Sequence, residues 1–310
     1  MKPILFSLEV GGRQLGVHSY GVFIAFGFAA GIALAWRQAQ RIGFDGGKVL
    51  DMSFWFLVSG LLGSRALYVA LNAGDFVRAC STPPAAETRT LARVVWDCTR
   101  AAHVWEGGLV FYGGVLGAVI TAALFARANK WSLRTIGDLF APSLALGHVL
   151  GRLGCFAAGC CFGKEVAGGR WGVSFPPDSV AFDELRSVGA IAQNATAMAP
   201  LHPTQLYEAA GELCIFGVLL WLRRRRPPAG TVVLTYAGLY AALRFIVEMF
   251  RGDLSRGYIA EVMMPGLAAF LRVPAREPVL LSSGQLISLV VLTALVLGRR
   301  WLVRSDRAIP

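Results

Sequence analysis

Charge is scarce in this sequence. Only 16% of its 310 residues are Asp, Glu, Lys or Arg, 55% are hydrophobic, and mean hydropathy is +0.55. That balance excludes an ordinary soluble domain and defines an integral membrane protein. Internal repeats and low-complexity tracts are missing too, which argues against a transporter assembled from repeated helix bundles. The six cysteines contain no C-x-x-C pair, the ordinary signature of a zinc site or a thiol oxidoreductase.

What the sequence does have is long apolar runs. A hydrocarbon core of about 30 Å takes roughly 20 residues to cross, and seven stretches approach or reach that length: 17–36, 49–72, 107–126, 135–158, 203–222, 230–250 and 285–298, the last extended by Trp301, Leu302 and Val303. The expectation is an all-α polytopic fold over a single membrane domain, 1–310, with seven transmembrane helices. The polar, Pro- and Gly-rich segments 73–106 and 159–202 are expected to form a small cap on the outer face.

Lys and Arg outnumber Asp and Glu by 30 to 19, a net charge of +11. The basic residues gather where alternate loops leave the membrane: Arg37, Arg41 and Lys48, then Arg127, Lys130 and Arg134, then Arg223 to Arg226, then Arg299, Arg300, Arg304 and Arg307. Such enrichment marks the cytoplasmic side, so an odd number of spans leaves the amino terminus outside and the carboxyl terminus in the cytoplasm. The basicity directs topology and does not point to nucleic acid. The "ALA" at 33–35 follows an apolar stretch too long, with too little positive charge ahead of it, for a cleaved signal peptide; the first span is read as uncleaved.

Ionisable groups inside these spans are expensive, at roughly +2.5 to +3.5 kcal/mol for a central Arg or Asp. The chain places Arg65, His148, Arg152, Glu208, Glu212, Arg244 and Glu248 there. Arg244 and Glu248 are four apart and share a helix face, with Arg251 continuing it, and His148 and Arg152 share another. Two readings stay open at this point. The groups neutralise one another as buried ion pairs, or the arginines exceed the acids and hold an anion, for which a lipid phosphate is the obvious candidate in a bilayer.

Glycines in "GLLGSR" and "GGLVFYGGVLGA" let helix backbones approach closely, the reading preferred for Gly60 and Gly117. Tyr20, Tyr68, Tyr112, Tyr207 and Tyr240 suit the membrane interface. Cys80 and Cys98 are expected to form a disulfide, and Cys214 to be a buried apolar residue. In "GRLGCFAAGCCFGKE", residues 151–165, the thiols of Cys155, Cys160 and Cys161 do not have the spacing of a four-ligand zinc site, and no metal is expected. Cys160 could pair with Cys161, or either with Cys155.

The stretches "HSYGVFIAFGF", "GSRALYV", "WEGGLVFYGG", "GDLFAPSLALGHVLGRLGCF", "LHPTQLYEA" and "LRFIVEMFR" occur in the order and spacing found in prolipoprotein diacylglyceryl transferases, and the chain resembles that family over essentially its full length. The resemblance implies seven spans in a bacterial inner membrane. It also implies transfer of the diacylglyceryl group of phosphatidylglycerol to the lipobox cysteine thiol of preprolipoproteins, with release of glycerol 1-phosphate and without a cofactor or nucleic acid. A divergent relative that keeps the lipid site and uses another acceptor is the alternative.

By motif position the resemblance assigns Arg152 and Arg244 to the phosphate. It places Tyr20, Tyr240, Glu248, Arg251 and Gly163 at family positions of the substrate site, and His18, Arg65, Cys155 and Glu208 are expected to line the same site. The chain departs from the family at Tyr112, where many members carry a histidine, so that a base for the incoming thiol would fall to Tyr112, His18 or His202, or the proton to the leaving phosphate or water. It departs again where Cys155, Ala158 and Cys160 replace Asn, Asn and Glu. A thiol aligned with the reactive glyceryl carbon would alkylate itself, so these cysteines are expected at the rim of the Arg152 site and not as its nucleophile.

Overall fold

The structure is a computed structural model that describes residues 4–10, 13–81, 91–104, 107–169, 171–253 and 257–307. Trp105 and Glu106 of the "WEGGLVFYGG" stretch and residues 82–90 lie outside them, as do the side chains beyond Gly298. The elements are β1 (Ile4–Val10), β2 (Arg13–His18), α1 (Ser19–Arg41), α2 (Gly46–Leu71), α3 (Ala73–Ser81), α4 (Leu91–Thr99), α5 (Phe111–Asn129), α6 (Leu133–Ala158), α7 (Val180–Ser187), α8 (Thr204–Arg224), α9 (Thr231–Glu248), β3 (Tyr258–Val262), α10 (Pro265–Leu271), β4 (Leu280–Ser282) and α11 (Ser283–Arg307).

Six of these, α1, α2, α5, α6, α8 and α9, are long and apolar enough to cross a membrane. The seventh expected span is the start of α11, whose apolar part, Ser283–Gly298, is shorter. The all-α expectation needs one addition. Two antiparallel pairs, β1 with β2 and β3 with β4, flank the helices, and their short, weakly alternating strands gave no clear signal in the sequence.

The chain forms two compact units, Met1–Ala35 with Gly137–Pro310 and Trp36–Ile136, so the junctions fall inside α1 and α6. The expected cap segments belong to different units, 159–202 to the first and 73–106 to the second.

In the second unit, α2 and α5 pack antiparallel through small residues. A Cβ at Gly63 would collide with the Gly113 carbonyl oxygen, and one at Gly117 with that of Ser59. Thr121 Oγ1 donates to Ser59 Oγ at 2.8 Å, and Val110 N to Ser64 O at 3.1 Å. Between helices in lipid such packing replaces the hydrophobic driving force available in water. Asp45 caps α2 by accepting from Gly47 N at 2.8 Å. The rings of Phe44 and Trp131 stack at 4.5 Å. Cys80 and Cys98 form the expected disulfide, joining α3 to α4.

In the first unit, α1 runs antiparallel to α6. A Cβ at Gly27 would touch Leu150 and the Gly147 carbonyl at 3.4 Å, and one at Gly154 would press on Phe23 at 2.9 Å. The helices α6, α8 and α9 share a core of Ala141, Ala145, Ile215, Leu219, Val232 and Tyr236. Asp138 of α6 accepts from Gly230 N at 2.6 Å and Val233 N at 2.8 Å, satisfying two otherwise orphaned donors at the start of α9. Residues 159–202 fold around a second core containing Phe162, Phe175, Phe182, Met198 and Leu201.

Candidate active site

Three helices of the first unit each carry ionisable residues four positions apart, and therefore on one face: His148 and Arg152 on α6, Glu208 and Glu212 on α8, Arg244 and Glu248 on α9. The faces converge on Glu208. Its carboxylate lies 2.9 Å from Arg152 Nη2 through Oε1 and 3.3 Å from Arg244 Nη1 through Oε2. Arg244 Nη2 is also 3.0 Å from Glu248 Oε2, and Glu248 Oε1 accepts from Ser282 Oγ at 3.1 Å.

The acid side chains are 2 to 3% exposed, whereas those of Arg152 and Arg244 are 19 and 23% exposed. The carboxylates sit inside and the guanidiniums face outward from them. One turn along α6, His148 Nδ1 lies 2.7 Å from Glu212 Oε1 and 2.9 Å from the Tyr236 hydroxyl, with the Tyr240 ring 5.2 Å away. Tyr240 is also in electrostatic contact with Glu208, Arg244 and Arg152.

Beyond α6, Cys160 and Cys161 begin a loop locked to the start of α8. Thr204 Oγ1 donates to the Cys161 carbonyl at 2.8 Å, and Gln205 Nε2 to the Cys160 carbonyl at 2.7 Å. Cys155, Cys160 and Cys161 are free thiols, so none of the disulfides considered among them forms. Tyr20, 44% exposed on α1, is in electrostatic contact with all three and with Arg152.

Several expectations change in detail. Arg251 does not continue the α9 face, because the helix ends at Glu248. The Arg251 guanidinium is instead held by Asp253, with Nε to Oδ1 at 2.7 Å and Nη2 to Oδ2 at 2.8 Å. Burial opposes its charge more than any single partner favours it, but the hydrogen bonds and charge of Asp253 together with Cys161 and Glu208 outweigh burial and push its pKa up. The arginine excess therefore disappears here: Arg152, Arg244 and Arg251 are matched by Glu208, Glu248 and Asp253.

Gly163 serves the backbone. It donates to His202 O at 2.9 Å, and a Cβ on it would lie 2.5 Å from that oxygen. Both His202 ring nitrogens are engaged, Nδ1 with the Tyr207 hydroxyl at 3.1 Å and Nε2 with Arg272 O at 3.2 Å, and burial lowers the imidazole pKa. His202 thus ties the start of α8 to the end of α10. His18 is exposed at the end of β2. Cys214 is exposed on α8 and not buried as expected, because the packed face of that helix carries Glu208, Glu212, Ile215 and Leu219.

Two candidates belong to the second unit. Tyr112 is 57% exposed on α5, with the Phe111 ring 5.9 Å away. Arg65 is buried, and its guanidinium donates to the carbonyls of Ala101 at 2.9 Å, Arg100 at 2.6 Å, Gly107 at 2.6 Å and Gly108 at 3.3 Å. It pins Arg100 and Ala101, and Gly107 and Gly108, to α2.

Neither Tyr236 nor Ser282 was expected at the site, and His148 and Glu212 stood among the generic interior charges. The signal for His148 and Glu212 was the same four-residue spacing, on α6 and α8, that singled out Arg244 and Glu248. Lys164, 3% exposed, donates to the carbonyls of Met249 at 3.1 Å and of Pro278. Nothing in its sequence surroundings marked it as buried.

A bundle of apolar helices around ion-paired arginines defines a multi-pass membrane protein with a charged interior centre. A family model described as prolipoprotein diacylglyceryl transferase matches residues 3–301. Relatives named phosphatidylglycerol--prolipoprotein diacylglyceryl transferase include one from Clostridium tetani, 28% identical over 82% of this chain and 86% of that protein. Another, from Oceanobacillus iheyensis, is 32% identical over 80% of this chain and 77% of its own length, and one from Xanthomonas campestris pv. campestris is 33% identical over 83% and 82%. The chain belongs to the prolipoprotein diacylglyceryl transferase family and is a transferase.

Proposed function

We propose that this protein performs the first step of lipoprotein maturation, moving the diacylglyceryl group of phosphatidylglycerol to the lipobox cysteine thiol of a preprolipoprotein. The observation that carries this reading is the bridge Arg152–Glu208–Arg244. A guanidinium has five N–H donors, and the described carboxylate contacts involve one nitrogen of Arg152 and two of Arg244. Donors remain for phosphate oxygens, and Glu208 sets the spacing of the pair before any ligand arrives.

In the reaction the sulfur of the incoming cysteine attacks the glyceryl carbon that bears the phosphate ester. The C–S bond forms as the C–O bond breaks, and the electron pair leaves on glycerol 1-phosphate. Paired guanidiniums stabilise the charge that grows on that leaving group. His202 has both nitrogens occupied and a depressed pKa, and Tyr112 is a poor base near neutral pH. His18 is exposed at the end of β2, and in this reading the thiol proton passes to the leaving phosphate, whose second pKa of about 6 lets it hold the proton below that pH, or on to water.

Tyr20, Tyr240 and Glu248 complete the headgroup site in this reading, supported by the ion pair of Glu248 with Arg244 and by the electrostatic interaction of Tyr20 with Arg152 and of Tyr240 with both arginines. Arg251 and Asp253 buttress its rim. Placement in a bacterial inner membrane with an outside amino terminus is supported by the basic residues Arg41, Arg127, Arg223 and Arg224 in the last turns of α1, α5 and α8.

The test is transfer by purified protein given phosphatidylglycerol and a lipobox peptide, followed by peptide mass and glycerol phosphate release. Stoichiometric appearance of both products is expected. Intact lipid and unmodified peptide with well-folded protein would overturn the proposal, and release of glycerol phosphate without peptide modification would point to another acceptor.

A further inference from the structure

The loop after α6 turns through two left-handed residues, Gly159 at φ 76° and Cys161 at φ 58°. Glycine adopts that conformation freely, but for a non-glycine residue it costs on the order of 1 kcal/mol or more and persists only when its surroundings impose it. Thr204 and Gln205 impose it here by holding the Cys161 and Cys160 carbonyls, while Cys160 N donates to Cys155 O at 3.1 Å. The result is that the Sγ atoms of Cys155, Cys160 and Cys161 all lie within 4.8 Å of one another, with Cys155 buried and the other two partly so.

We propose that Cys155, Cys160 and Cys161 form a three-coordinate thiolate site for one soft d10 cation, Cu(I) foremost, at the rim of the Arg152 site. A tetrahedral zinc site needs four ligands, which the spacing of these cysteines does not supply, whereas a trigonal site needs only these three. With metal–sulfur bonds of about 2.3 Å, trigonal sulfurs stand about 4.0 Å apart, so closing the observed triangle takes less than about 1 Å of movement. Sulfur donors select Cu(I) over hard cations such as Ca²⁺ or Mg²⁺.

Three thiolates and one Cu(I) carry two net negative charges, and the guanidiniums of Arg152 and Arg251 both interact with Cys161. On binding, three S–H bonds are lost, three metal–sulfur bonds form, and the three protons leave to solvent; no electron is transferred.

The experiment uses the full chain in detergent, carrying Cys80→Ser and Cys98→Ser so that those sulfurs cannot compete. Cu(I) is added anaerobically against a chromogenic Cu(I) chelator, and thiolate-to-metal absorption is recorded. One ion per chain is expected, with affinity reduced at least about tenfold by Cys155→Ser, Cys160→Ser or Cys161→Ser and unchanged by Cys214→Ser. Should a serine variant fail to fold, maleimide labelling of the parent reads the same question: Cu(I) should protect Cys155, Cys160 and Cys161 and leave Cys214 reactive. No uptake, equal binding by a folded triple serine variant, labelling unaffected by Cu(I), or a disulfide among the three that persists in reduced protein would each overturn the proposal.

Discussion

Arg65 in the second unit and Arg152 in the first both lie within apolar helices, at a comparable cost to insertion, and each unit meets that cost differently. The Arg65 guanidinium is spent on four backbone carbonyls, those of Arg100, Ala101, Gly107 and Gly108, a neutral set of partners that uses its donors and fixes backbone far along the chain. Arg152 meets the Glu208 carboxylate, which Arg244 shares from the other side. An arginine saturated by carbonyls is a structural clamp. An arginine pair drawn together by one carboxylate keeps N–H donors beyond its carboxylate contacts, at a spacing that the carboxylate sets.

Glu208→Ala attacks the shared carboxylate and should have the largest effect. It leaves two part-buried guanidiniums without their common partner, and loss of one member of a buried pair typically costs about 3–5 kcal/mol. A fall of that order in unfolding free energy, measured in detergent, is expected, with Glu208→Gln milder because the amide oxygen can still accept. In the second unit, reducing the Cys80–Cys98 bridge should cost about 3 kcal/mol, as for a closed loop of roughly 15 to 20 residues. The measurement is thermal unfolding with and without reductant, and a disulfide-free pair of serines should abolish the difference.

Arg65→Lys sharpens the contrast between the two kinds of arginine. Lysine can donate three hydrogen bonds from a point and cannot span four separated carbonyls, so a loss of about 1–2 kcal/mol and faster amide exchange at residues 100–104 are expected, while the folded fraction keeps its transfer rate. A specific loss of turnover in stable Arg65→Lys protein would return Arg65 to the substrate site. The smallest effect is a pH dependence from His202. Burial lowers its pKa in the fold, so as pH falls through about 6.5 the unfolded chain takes up a proton that the folded chain resists, and stability drops. His202→Gln should flatten that part of the stability profile between pH 7 and 5.

Much of this fold was legible because spans in lipid are obliged to be long and apolar. The bounds read for α6, α8 and α9 fall within two residues of the helices, and Gly117 packs as its spacing suggested. The charged doublets were legible for a related reason: a four-residue spacing fixes which side chains share a face. What spacing could not give was the partner. Nothing near Arg65 in sequence shows that the carbonyls of Arg100, Ala101, Gly107 and Gly108 fold back onto it, and nothing near Arg251 shows that α9 stops at Glu248 and hands the guanidinium to Asp253. The convergence of three sulfurs also depends on Thr204 and Gln205, more than forty residues downstream.

The central claim is that Arg152 and Arg244 act as a planar, bidentate phosphate clamp, and its most direct test is the turnover of Arg152→Lys and Arg244→Lys with phosphatidylglycerol and lipobox peptide saturating. A planar fork can hold two phosphate oxygens where an ammonium offers a point charge, so each variant should lose about a hundredfold in rate, the loss seen on removing one oxyanion donor, while remaining folded. Near-normal turnover in both lysine variants, together with rescue of Arg244→Gln by Glu248→Gln, would contradict the account and leave the arginines as counter-charges to the buried glutamates.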